Sequence, residues 1–109
     1  MNHPPLQLEI PTDLAAFEGL WTLVRDGIDR VRPTKVLLFG SRATGRARPN
    51  SDFDIAFEFP RSQSAKWTRF VLDAQESPET LDKVDWVDYF EVSAELRESI
   101  DREGITIYG

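Results

Sequence analysis

The octapeptide DFDIAFEF, residues 52–59, alternates without a break. Phe53, Ile55, Phe57 and Phe59 fall on one side of an extended chain, and Asp52, Asp54, Ala56 and Glu58 fall on the other. Successive strand residues point to opposite faces. Such a strand needs a second layer to bury its aromatic back, and Pro60 ends it. Just upstream, Val36-Leu37-Leu38-Phe39 is a continuous apolar run closed by Gly40, which predicts a short, fully buried strand over Lys35–Phe39. Residues 40–51, with Gly40, Gly45, Pro49 and Asn50, read as the polar turn region between the two strands.

The remaining segments supply the second layer. Leu14, Phe17, Trp21, Val24, Ile28 and Val31 recur every three or four residues, which predicts a helix from about Asp13 to Arg30, capped by Thr12 and stopped by Pro33. A second helix is expected over Ser64–Gln75, with Trp67, Phe70, Val71 and Ala74 gathered on one side. Trp67 and Phe70 are read there as core rather than as a base-stacking platform. A third strand is expected from Lys83 to Phe90, then a helix capped by Ser93 that carries Leu96 and Ile100 and ends near Gly104. Ile105–Tyr108 makes a last short strand. Helices interleaved with strands predict an α/β (α+β) domain, a mixed β-sheet with helices packed on one face.

At 109 residues the chain has the length of one domain, taken as residues 1–109. Its 40% hydrophobic content and seven Phe exclude a disordered segment. With no cysteine there is no disulfide framework and no thiolate metal site, and neither an apolar span nor a signal-like N-terminus is visible; a cytoplasmic, membrane-free protein is expected. The net charge of −6 disfavours stable nucleic-acid binding. Arg42, Arg46 and Arg48 nevertheless form a local basic loop, which suits a small phosphorylated ligand. His3, a lone histidine near the N-terminus, is read as no metal ligand, and Glu91, Glu95 and Glu98 as a solvated face.

Asp52 and Asp54 project side by side, and their mutual repulsion is relieved by a hard divalent cation such as Mg²⁺. Taken alone, the pair also fits an ordinary half-exposed strand. The Gly40-Ser41 turn, placed directly after a buried strand, lets backbone approach a ligand closely. A helical turn starting there offers free N–H groups to phosphate, with Arg42, Arg46 and Arg48 as charged partners.

Taken together, Gly40-Ser41, ten intervening residues and Asp52-Phe53-Asp54 resemble the signature of the DNA polymerase β-like nucleotidyltransferase superfamily. The run FGSRATGRARPNSDFDIAFEF, with the preceding helix, the later KVDWVDYF and the closing REGITIYG, resembles the minimal nucleotidyltransferases, small prokaryotic proteins usually paired with a HEPN-domain partner. One departure is Thr44, where that family often has Arg. The resemblance implies a third carboxylate from a neighbouring strand. Asp85 and Asp88, three apart, point to opposite faces of a regular strand, so only one can join the site; the alignment with the family chooses Asp85. The resemblance further implies catalytic and metal-binding roles for Asp52, Asp54 and Asp85, nucleotide contacts from Gly40, Ser41, Arg42 and Arg46, two Mg²⁺ ions, and ATP as substrate. Its biological expectation is an antitoxin that adenylylates a tyrosine of a HEPN-domain ribonuclease toxin. The alternatives are a catalytically inactive nucleotide-binding antitoxin that neutralises its partner by contact, and a transferase acting on a small molecule such as an antibiotic. Ser93–Tyr108 and the first helix are the expected partner surfaces, in competition with core packing.

Overall fold

The structure is a computed structural model and describes residues 7–109; His3 lies outside them. Four strands, β1 (Lys35–Phe39), β2 (Phe53–Glu58), β3 (Val84–Asp88) and β4 (Ile105–Tyr108), form one sheet in the order β3-β2-β1-β4. β1 pairs antiparallel with β2 and β4, whereas β2 and β3 run parallel. The sheet is therefore mixed, as the interleaved pattern predicted. Glu9 N–H donates to the Ile107 carbonyl at 2.8 Å, which covers part of the outer edge of β4.

Two helices pack on the aromatic face of β2. α1 (Glu18–Val31) contributes Leu20, Trp21, Val24, Ile28 and Val31, and α3 (Ser64–Gln75) contributes Trp67, Phe70 and Ala74. Phe53, Ile55 and Phe57 are 0% exposed and Phe59 is 1% exposed, so the alternation read in the sequence is realised side chain by side chain. Burying each such residue contributes about 1.5–3 kcal/mol. Phe57 lies 5.1 Å from Trp67 and 5.6 Å from Phe70, ring centre to ring centre, and Phe70 meets Trp86 edge to face at 5.1 Å. Trp67 and Phe70 are core, as expected. α1 comes close enough to touch this cluster because Gly27 has no Cβ to meet the Phe70 and Phe57 rings.

Helices do not keep to one face, and this refines the expected layering. α4 (Ala94–Glu103) sets Ile100 against Leu37, Phe39 and Ala56 on the opposite side of the sheet. Ala56, which shares a strand face with the acids, is fully buried there. Packing thus claims the apolar face of α1, Ile100 of α4 and Ile107 of β4, while Leu96 of α4 stays exposed.

Two local readings need adjustment, the start of the first helix and the bounds of the third strand, which was expected over Lys83–Phe90 and spans Val84–Asp88. The first helix begins at Glu18, not at Asp13; residues Thr12–Leu14 form a separate 3-10 turn without a side-chain cap. The Trp21 indole N–H donates to the Leu14 carbonyl at 2.8 Å, so a bent chain brings Leu14 into the core as well as a longer helix would. At its other end, α1 closes through Arg32, a left-handed residue (φ 56°) whose N–H bonds the Ile28 carbonyl, just before Pro33. The polar region 40–51 contains a one-turn helix, α2 (Ser41–Thr44). The Ser93 cap of α4 is present as read, its Oγ accepting from Leu96 N–H at 3.2 Å.

Candidate active site

The ends of β1, β2 and β3 bring three features together. β1 stops at Phe39, and Gly40 turns the chain with φ 72° and ψ −157°, a conformation open to glycine and costly for other residues. The Cβ of any other residue here would collide with the Asp54 carboxylate. Gly40 therefore has two independent reasons to be glycine, and both place the turn directly against an acid. α2 starts at the next residue. Ala43 and Thr44 N–H groups both close on the Gly40 carbonyl (3.0 and 3.2 Å), while those of Ser41 and Arg42 precede these bonds.

Register does the same for the second acid. Phe39 is paired with Asp54, and Asp54 is paired with Asp85 on β3. Gly40, Asp54 and Asp85 thus follow one another across the sheet. Asp54 is only partly buried, and desolvation pushes its carboxyl up; the facing Asp85 charge and then that of Asp52 push it the same way. Asp52, just before β2, lies 3.7 Å from the Lys83 ammonium, in an exposed pair that holds little energy.

Asp88 goes elsewhere. Both of its oxygens accept from the Arg61 guanidinium, at 2.9 and 3.1 Å, with the Arg61 fork resting over Phe59 and Phe90. Asp85 and Asp88, which the sequence could only separate by face, are distinguished by their neighbours.

Of the residues expected to meet a nucleotide, Gly40, Ser41 and Arg46 line one shallow depression of ≈ 200 Å³ together with Thr44 and Glu103. Arg42 lies outside that lining. Its guanidinium reaches back to the carbonyls of Ser51 (2.9 Å) and Pro49 (3.3 Å) and covers the Phe53 ring. Sequence reasoning passed over Glu103, whose place beside Gly40 depends on how α4 crosses the sheet, and Lys83, whose Asp52 contact joins the residues just before β3 and β2. Neither carries a local signal.

Hard oxygen donors of this kind match a Mg²⁺-like cation in chemistry. Among the described residues, however, no group of three acidic or histidine side chains is drawn closely enough to enclose a single ion.

The polymerase beta nucleotidyltransferase domain family matches residues 28–109, a span that contains every site residue named above. The chain belongs to this family. As a polymerase β-type nucleotidyltransferase it is similar to several solved structures. One, provisionally described as a minimal nucleotidyltransferase, is 28% identical, with 86% of this chain and 91% of that one covered at a TM-score of 0.57. Another, a crystal structure of a toxin–antitoxin with AMP-PNP, is 26% identical over 85% of this chain and 73% of that one, TM-score 0.55. A mutant MntA–HpeT toxin–antitoxin pair is 23% identical over 85% and 72%, TM-score 0.52, and shares the fold. No curated protein sequence shows significant similarity to the chain. Among the described residues no helix is long and apolar enough to cross a membrane.

Proposed function

We propose that this nucleotidyltransferase transfers AMP from ATP, with Mg²⁺, to a hydroxyl of a partner protein, and that the acceptor is a tyrosine of a HEPN-domain ribonuclease toxin which the modification silences. The observation that carries the chemical half is the contact of Gly40 with Asp54 in a family whose reaction is nucleotidyl transfer. The biological half draws on the toxin–antitoxin structure with AMP-PNP, 26% identical to this chain.

In this reading Asp52, Asp54 and Asp85 hold the metal. Bound Mg²⁺ supplies positive charge against the triphosphate and lowers the pKa of the acceptor hydroxyl. The chain's own groups position the reactants. Gly40 gives the phosphates close access to backbone, α2 presents its leading N–H groups and the Ser41 hydroxyl, and Arg46 adds charge at the same depression. The acceptor oxygen attacks the α-phosphorus, the bond from that phosphorus to the α–β bridging oxygen breaks, pyrophosphate leaves with that oxygen, and the acceptor's proton passes to water. The nucleophile must enter opposite the leaving group.

Two observations favour the contact-only alternative: among the described residues no three acids are grouped closely enough to hold one ion, and Lys83 sits against Asp52. Incubation with α-labelled ATP, Mg²⁺ and the cognate partner separates the two readings. Label on the partner tyrosine, absent with Asp54→Asn, supports transfer. An unlabelled partner that is nonetheless neutralised by wild type and Asp54→Asn alike would leave contact alone.

A further inference from the structure

Arg42 and Arg46 lie four residues apart in the same basic segment, and their charge alone would give them the same task. Their surroundings differ. Arg46 is exposed and lines the depression beside Gly40 and Ser41. Arg42 turns the other way. Its Nη2 donates to the Ser51 carbonyl at 2.9 Å and to the Pro49 carbonyl at 3.3 Å, and its Nε is buried without a hydrogen-bond partner. Its guanidinium carbon sits 4.4 Å from the centre of the Phe53 ring and 5.3 Å from that of Phe17, capping two rings that meet edge to face at 4.9 Å.

These contacts grip the chain on both sides of the first acid. Ser51 immediately precedes Asp52, and Phe53 stands between Asp52 and Asp54. Arg42 itself belongs to α2, whose start is the Gly40 turn. One side chain thereby ties the phosphate-facing turn to the strand entry that carries two carboxylates. Phe17, at the head of α1, extends the grip to a segment upstream of the family match.

We propose that Arg42 is a positioning residue, acting through Ser51 and Phe53 to set Asp52 and Asp54 against the Gly40 turn, while Arg46 is the cation that meets the nucleotide phosphates. A guanidinium whose Nη2 is held by two carbonyls and whose faces meet two rings is fixed in orientation toward the entry of β2, outside the depression that Arg46 lines. Lysine keeps the charge but supplies neither the planar fork nor the stacking surface. Groups that orient metal ligands typically change metal affinity or activity by about 10–100-fold when removed.

The kinetic part of the test rests on the transfer reading; the binding and exchange parts do not. Arg42→Lys, Arg42→Gln, Phe17→Leu and Arg46→Gln are compared for Mn²⁺ affinity, backbone amide exchange over residues 51–54, and kcat and KM for ATP. Both Arg42 variants are expected to weaken Mn²⁺ binding about 10-fold or more, to speed exchange at 51–54, and to lower kcat more than they raise KM. Phe17→Leu, which keeps both loop hydrogen bonds, gives a smaller change in the same direction. Arg46→Gln places its loss in KM and keeps wild-type Mn²⁺ affinity and exchange. Arg42→Lys with wild-type Mn²⁺ affinity and exchange, and a defect confined to KM for ATP, would overturn the proposal and make Arg42 a phosphate ligand. A wild-type protein that transfers nothing removes the kinetic part, and Mn²⁺ affinity and exchange still decide Arg42. If Arg42→Gln does not fold, Arg42→Lys and Phe17→Leu carry the same reading.

Discussion

At one end of β3, Asp85 lies opposite Asp54, and no cation among the described residues is paired with either. At the other end, only three residues on, Asp88 is gripped by both terminal nitrogens of Arg61. The same residue type on the same strand is neutralised in one place and left uncompensated in the other. An acid that the fold needs for itself is supplied with a partner, because a desolvated charge is costly. Asp54, whose carboxyl is pushed up by desolvation and then by the charges of Asp85 and Asp52, is unfavourable as an anion until something positive arrives. The two ends of β3 thus hold one carboxylate that is paired within the fold and one, beside Asp54, that is not.

The contrast can be broken most sharply at Asp54. Asp54→Asn is expected to lower label transfer by about 1,000-fold or more, the scale of losing several kcal/mol of metal-borne charge stabilisation. Its melting temperature without metal should equal or exceed the wild-type value, since one repelling charge is gone. A sharp drop would show that Asp54 holds the fold. Next in size is the response to Mg²⁺ followed by thermal melting. Wild type should gain up to about 2.7 kcal/mol at one hundred times the dissociation constant, and Asp54→Asn should gain little. Equal gains would place the metal elsewhere.

Arg61→Ala reverses the pattern. It should cost about 1–2 kcal/mol of stability, read by denaturant titration, while transfer per folded molecule stays within a few-fold of wild type. Loss of transfer without loss of stability would make Asp88 part of the site. The smallest effect is expected at Tyr89, whose hydroxyl donates to Asp101 at 2.6 Å, so that the phenol is pushed up to about 12 from the usual 10.0. A raised phenol pKa stabilises the fold in full below pH ~10, and the contribution fades as pH climbs toward about 12. Tyr89→Phe should therefore cost under about 1 kcal/mol, unchanged between pH 7 and 9 and vanishing at the alkaline end. A cost that disappeared below pH 9 would contradict that hydrogen bond.

Much of this architecture was readable because it is written in local periodicity. The bounds of α3 at Ser64 and Gln75, of β1 at Lys35 and Phe39, and of β4 at Ile105 and Tyr108 all follow from apolar spacing and flanking turn residues. The start of α1 does not, because Leu14, Phe17 and Trp21 keep helical spacing although a tertiary bond from Trp21 to Leu14 bends the chain between them. The carboxylates and the glycine turn were visible as motif and spacing, whereas the reason Gly40 must be glycine appears only when Asp54 is seen against it. The separate fates of Asp85 and Asp88 were hidden for a similar cause: Arg61 lies 27 residues before the acid it neutralises. Arg42 was legible as a charge in a basic loop. Its partners Phe17, Pro49, Ser51 and Phe53 are scattered along the chain, so its orientation belongs to the fold rather than to the motif.

The central claim, that the uncompensated carboxylates form the metal and nucleotide site, is tested most directly by Mn²⁺ binding in the presence of a non-hydrolysable ATP analogue. Asp54→Asn and Asp85→Asn should each weaken Mn²⁺ binding at least about 10-fold, and Asp88→Asn should leave it at the wild-type value. Retention in Asp85→Asn with loss in Asp88→Asn would contradict the account.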